Sequence, residues 1–106
     1  MQRVTLVRYT TKSDHTAENE ALSRAVFTQL RSAQPEGVAY ALFRDGSDFI
    51  HVFLNLKDDE SAPLTDLAAF KTFQKGIAER HTAPPEVTRL AAQLVDCYGF
   101  STSHPR

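Results

Sequence analysis

Cys97 is the only cysteine, so no disulfide can close within the chain. No stretch approaches the ~20 consecutive apolar residues that a membrane-spanning helix needs. The opening MQRVTLVRYT lacks the apolar centre of a signal peptide and reads as a strand. Charge of either sign is nearly balanced, at −1 overall, which argues against nucleic acid or an anionic membrane as an obligatory partner. There is no glycine-rich phosphate loop and no Ser-His-Asp signature. The histidines, His15, His51, His81 and His104, show no metal-ligand spacing. Asp58, Asp59 and Glu60 are consecutive acids, but a hard cation wants ligands folded around it from several positions, so this run reads as a solvated loop. No internal repeat or low-complexity segment is evident. What remains is a cytoplasmic protein with no cofactor implied.

What is present centres on Val38 to Leu56. VAYALFR and FIHVFLNL are rich in the β-branched and aromatic residues that strands favour. Between them DGSD supplies turn chemistry, because Gly46 tolerates positive φ and the aspartates accept hydrogen bonds from nearby backbone. A symmetric closure predicts Arg44 opposite Phe49, Leu42 opposite His51, Tyr40 opposite Phe53 and Val38 opposite Asn55. Side chains alternate along a strand. One face therefore carries Ala39, Ala41, Phe43, Ile50, Val52, Leu54 and Leu56. The other carries Val38, Tyr40, Leu42, Arg44, Phe49, His51, Phe53 and Asn55. The first is wholly apolar and the second mostly so, whereas an antiparallel sheet usually has one wet face. Burying each large apolar side chain is worth roughly 1.5–3 kcal/mol, so both faces call for a cover. Helices suffice for one; a second copy of the chain is the simplest cover for the other.

The 106 residues fit one domain, over 1–100, with a flexible polar tail at 101–106. Val4 to Thr10 reads as a first strand. Ser13-Asp14-His15-Thr16 offers N-cap candidates for a helix over Ala17 to Gln34, whose Leu22, Val26, Leu30 and Ala33 recur at helical spacing. Pro35 and Gly37 end it. Pro63 and Thr65 open a second helix running to about Arg80, with Leu67, Phe70, Phe73 and Ile77 as its buried stripe and Gly76 weakening it. Ala83-Pro84-Pro85 stops that helix. Glu86 to Phe100 reads as a last strand, strongest from Leu94 to Phe100. The order β-α-β-β-α-β is the ferredoxin-like arrangement: an α+β protomer with a four-stranded antiparallel sheet and two helices on one face.

The segments VTLVRYTTK, NEALSRAVFTQL, PEGVAYALFRD, FIHVF, LAAFKTFQKGI and PPEVTRLAAQLVDCYGF, spanning about Val4 to Phe100, resemble the antibiotic biosynthesis monooxygenase-like superfamily. The match is to an uncharacterised bacterial branch. The resemblance implies a dimeric α+β barrel, in which two protomers pack sheet to sheet, and a small organic ligand between sheet and helices. Some such proteins oxidise phenolic or quinol substrates with molecular oxygen and no cofactor; others degrade haem, isomerise lactones or have no demonstrated chemistry. This chain has no tryptophan, and its second helix has no histidine before His81; a haem-degrading reading usually relies on both.

Among candidate site residues, His51 lies mid-strand, where an imidazole titrating near neutrality can serve as general base. Tyr40 and Asn55 share its face. Together they can bind a phenolic oxygen, remove its proton and hold the anion for reaction with oxygen. The plainer reading makes His51 a hydrogen-bonded histidine of the core or dimer interface. Arg8 pairs with an anionic substrate or is a solvated charge. Phe73 is core or lines a cavity, and Tyr98 is a ligand contact or a packing aromatic. Tyr9 can face either layer. Cys97 has no base beside it and reads as a small buried hydrophobe. Two functions follow: a cofactor-independent oxygenase or isomerase acting on an aromatic or ketide-like molecule, or a non-catalytic ligand-binding or assembly protein.

Overall fold

The structure, a computed structural model, describes residues 2–57, 64 and 67–98. The acid run Asp58–Glu60, the expected helix start at Pro63 and Thr65, Phe100 and the tail 101–106 lie outside these residues.

The hairpin takes the register expected from its turn. β2 (Val38–Asp45) and β3 (Asp48–Asn55) are joined through Gly46 and Ser47, and Tyr40 pairs with Phe53, Leu42 with His51. Gly46 has φ +62°, a left-handed conformation that costs a side-chain-bearing residue more than glycine. β1 (Arg3–Thr10) lies antiparallel to β3, and β4 (Glu86–Ala91) antiparallel to β1, giving a sheet ordered β2-β3-β1-β4. α1 (Thr16–Ala33) follows a short 3-10 turn over Ser13–His15. α2 (Ala68–Gln74) and α3 (Ile77–Arg80) precede β4. The helices cover one sheet face only, as the β-α-β-β-α-β order requires.

The core sits under that face. Tyr9, Val26, Phe49 and Phe73 are buried together, with Leu22, Leu30, Tyr40, Leu42, Phe70 and Ile77 packed around them. Thus the face bearing Tyr40, Phe49 and His51 meets the helices, while the one bearing Ala41, Phe43, Ile50 and Val52 is the open side. Leu6 and Leu90 join this open face by strand alternation, and Leu6, Phe43 and Leu90 are exposed. Ala33, expected in the buried stripe of α1, is exposed at the helix end.

Three further expectations are corrected. The second helix is not continuous to Arg80: Gly76, at φ +76°, takes the left-handed conformation and divides it into α2 and α3. The last strand occupies Glu86–Ala91, and residues 92–98 form neither helix nor strand. The cause is the length of its partner. β1 starts at Arg3, opposite Ala91; the Ala92 N–H still reaches the Gln2 carbonyl and the Leu94 N–H the Gln2 side chain, and there β1 ends. A segment with strand-forming residues but no neighbour to complete its ladder does not become a strand. For the same reason Cys97, beyond the sheet, is exposed and not a buried hydrophobe.

Candidate functional site

Between the helix-side face of the sheet and α2–α3 lies a cavity of about 410 Å³, within the range of small-molecule sites. Strand alternation builds its floor. Thr5, Val7 and Tyr9 come from β1, Tyr40 from β2, His51, Phe53 and Asn55 from β3, and Val87 and Arg89 from β4. Phe70, Phe73, Ile77 and His81 form its roof.

Into this mostly apolar space the sheet places a short polar chain. His51 is 6% exposed, and both ring nitrogens are occupied: Tyr40 Oη lies 2.6 Å from Nδ1 and Tyr9 Oη 2.8 Å from Nε2. Asn19 of α1 donates from Nδ2 to Tyr9 Oη at 2.9 Å. Arg80 at the end of α3 donates from Nε to Asn19 Oδ1, also at 2.9 Å. Five side chains from five elements therefore connect in one line, Tyr40–His51–Tyr9–Asn19–Arg80.

Arg80 is 3% exposed. Its Nη2 donates to the Phe73 carbonyl at 2.5 Å and its Nη1 to the Lys75 carbonyl at 3.2 Å, and the guanidinium stands 5.1 Å from the Phe73 ring centroid. The guanidinium thus satisfies carbonyls left open where α2 ends, a favourable place for a cation. No described carboxylate pairs with it. Three acceptors, Asn19 Oδ1 and the Phe73 and Lys75 carbonyls, therefore hold the buried cation, and its charge opposes the burial-driven rise at Tyr9.

Burial dominates the ionisation of the site. It holds the His51 pKa down to about 4, with the nearby His81 adding to the effect. At neutral pH His51 is an uncharged imidazole. Burial also pushes the Tyr40 hydroxyl well above its ordinary value, with Tyr9 contributing. Tyr9 is raised by burial too, against the opposing pull of Asn19 and Arg80. His81 is lowered by burial and then by Arg80. His81 stacks on Tyr9 with ring centroids 4.1 Å apart, and its Nε2 is a buried polar atom with no hydrogen-bond partner among the described residues.

Of the residues singled out in the sequence, His51, Tyr40, Asn55 and Phe73 come together on this cavity. Asn55 also does backbone work, its Oδ1 accepting from the Lys57 N–H at 3.1 Å. Phe73 is core and cavity wall at once. Arg8 and Tyr98 are not brought to it. Arg8 projects from the opposite sheet face and lies 3.5 Å from Asp48, and Tyr98 is fully exposed beyond β4. Tyr9, Asn19, Arg80 and His81 escaped sequence reading as site residues. The available signal for Tyr9 was register: once β1 pairs with β3 so that Tyr9 opposes Phe49, it shares the His51 face.

No protein-family model matches the chain, and no curated protein matches it. Its fold is that of the antibiotic biosynthesis monooxygenase-like proteins, a ferredoxin-like α+β architecture. A Nitrosomonas europaea protein described as a candidate antibiotic biosynthesis monooxygenase is similar with a TM-score of 0.70 and 18% identity, over 86% of this chain and 89% of that one. One from Caulobacter crescentus, described in the same way, gives 0.71 and 16%, again over 86% and 89%. Rv0793 of Mycobacterium tuberculosis gives 0.70 and 20%, over 92% of this chain and 100% of that one.

Proposed function

We propose that the chain is a cofactor-independent monooxygenase-like enzyme acting on a small hydroxyaromatic or polyketide-like molecule held in the cavity. The supporting observation is the Tyr40–His51–Tyr9 line set into an otherwise apolar chamber. Because both His51 nitrogens are engaged, the imidazole does not meet a substrate hydroxyl directly; it acts through Tyr40. The Tyr40 hydroxyl hydrogen-bonds the substrate oxygen and favours its anionic form. The electron-rich ring then reduces dioxygen: one oxygen atom becomes a ring carbonyl, the other leaves as water with the two hydrogens that the substrate loses. His81 Nε2 supplies a second hydrogen-bonding point for the ligand.

The alternative is a ligand-binding protein without chemistry, favoured by the satisfied state of His51, which needs no substrate to complete its bonds. Oxygen uptake with a panel of naphthols and anthracene-type quinols separates the two. Turnover that His51→Phe abolishes while the fold stays intact supports the enzyme reading. Binding without oxygen uptake by the unaltered protein supports the other.

The same proposal includes a homodimer joined through the open sheet face. Leu6, Phe43 and Leu90 are exposed there, and Val95 and Tyr98 stand almost wholly exposed beyond β4. Exposed apolar side chains on three strands of one sheet face support an interface there. None of the described helices is long and apolar enough to cross a membrane.

A further inference from the structure

We infer that Arg80 sets the direction of the hydrogen bonds through Asn19 and Tyr9 to His51, so that Tyr40 presents its proton to the cavity and the site takes a ligand through an oxygen acceptor, a phenolate or enolate oxygen. The inference rests on the proposed reading of the cavity as the ligand site.

The direction follows from which groups can donate. Arginine only donates. The side-chain oxygen of Asn19 must therefore be the atom facing Arg80 Nε, which turns Asn19 Nδ2 toward Tyr9 as a donor. Tyr9 Oη is thus an acceptor from Asn19, and its own proton has His51 Nε2 at 2.8 Å to receive it. A neutral imidazole that accepts at Nε2 carries its proton on Nδ1. That proton goes to Tyr40 Oη at 2.6 Å. Tyr40 has no other hydrogen-bond partner among the described residues, and it lines the cavity. Its hydroxyl hydrogen is left for whatever occupies that space. A donor backed by a neutral chain ending in a buried cation that no described carboxylate pairs suits an oxygen that bears negative charge, and ill suits a ligand that must itself donate.

Two measurements on the ligand-free and ligand-bound protein test this. Long-range proton–nitrogen NMR of the histidines reports which ring nitrogen is protonated. His51 is expected as the Nδ1–H tautomer. Asn19→Asp keeps the shape but cannot donate to Tyr9; Tyr9 would then donate to Asp, accept from His51 Nε2–H, and invert the tautomer. The variant also gives Arg80 a carboxylate, so loss of fold is not the expected outcome. The second probe is para-nitrophenol, whose colour reports ionisation. Bound to the unaltered protein, its ionisation midpoint is expected to fall by about one pH unit, a tenfold preference for the anion, and Asn19→Asp should abolish that fall. An Nε2–H tautomer in the unaltered protein, or a bound dye whose midpoint rises, overturns the inference. Failure of the dye to bind while the Nδ1–H form and its inversion are seen counts against the cavity as the ligand site, and so against the proposed function, leaving the hydrogen-bond direction established.

Discussion

Tyr40 and His51 occupy neighbouring strands of one hairpin, offset by two residues across the ladder, and their polar tips meet at 2.6 Å. Tyr40 is paired by backbone with Phe53 and His51 with Leu42, so the contact is diagonal. Tyr40→Phe removes the hydroxyl and keeps the ring that stacks on Phe27 at 4.5 Å. Turnover of an accepted phenol should fall by ~10²-fold or more, the usual scale for losing a donor aimed at a developing anion, and stability should fall by about 1–3 kcal/mol because the buried His51 Nδ1–H loses its acceptor. Steady-state oxygen uptake beside a thermal melt checks both.

His51 also makes stability depend on pH. Unfolded, it titrates near its ordinary 6.5; folded, near about 4. Between those values the unfolded chain binds the proton more readily, so stability is complete above the unfolded value and declines as pH falls from about 6.5 toward 4. The decline from this group is on the order of 3 kcal/mol. Urea titrations at pH 7 and pH 4.5 should show it, and His51→Gln should flatten the slope in that window.

Gly76 places Arg80 by breaking the second helix. An alanine there would meet nothing closer than ordinary contact, its nearest atom being Arg80 Nη1 at 3.9 Å, so the cost is purely conformational. Gly76→Ala should destabilise by about 1–2 kcal/mol, and Gly76→Asn by less, since asparagine tolerates the left-handed region better. Chemical denaturation reads both.

His81 Nε2 is buried and unpartnered in the described residues. His81→Phe preserves an aromatic ring against Tyr9 and removes that atom. Stability should hold or rise by up to ~1 kcal/mol, while affinity for an oxygen-bearing ligand falls by up to about tenfold. Isothermal titration with the same phenols, beside denaturation, distinguishes a ligand-facing nitrogen from an inert one.

The open sheet face predicts association. At micromolar concentration the chain should sediment as two copies. Leu6→Glu, at the centre of the face, should weaken association at least tenfold, about 1.4 kcal/mol, with circular dichroism unchanged. A single-copy species for the unaltered protein would remove the dimer from the proposal.

The hairpin was legible because a two-residue turn fixes register, and register fixes which side chains share a face; Tyr40, His51 and Asn55 followed directly. β1 was legible as a strand but not in its facing, since Val4 and Leu6 alternate with Thr5 and Val7 and either set can face a core. Tyr9 was therefore undecidable without its partner strand. Asn19 and Arg80 are 61 positions apart and adjoin only after both helices dock; no local pattern carries that contact. β4 lay within the expected strand, but that strand was drawn too long because the residues from Leu94 onward have the composition of a strand, whereas a strand also needs a neighbour long enough to pair with.

The sheet residues that floor the cavity lie on the helix side, away from the open face through which two copies are proposed to join. In a two-copy assembly each molecule would thus own a whole chamber. A hybrid of one intact copy and one His51→Phe copy should keep half the turnover of the intact pair, each chamber working without help from its neighbour.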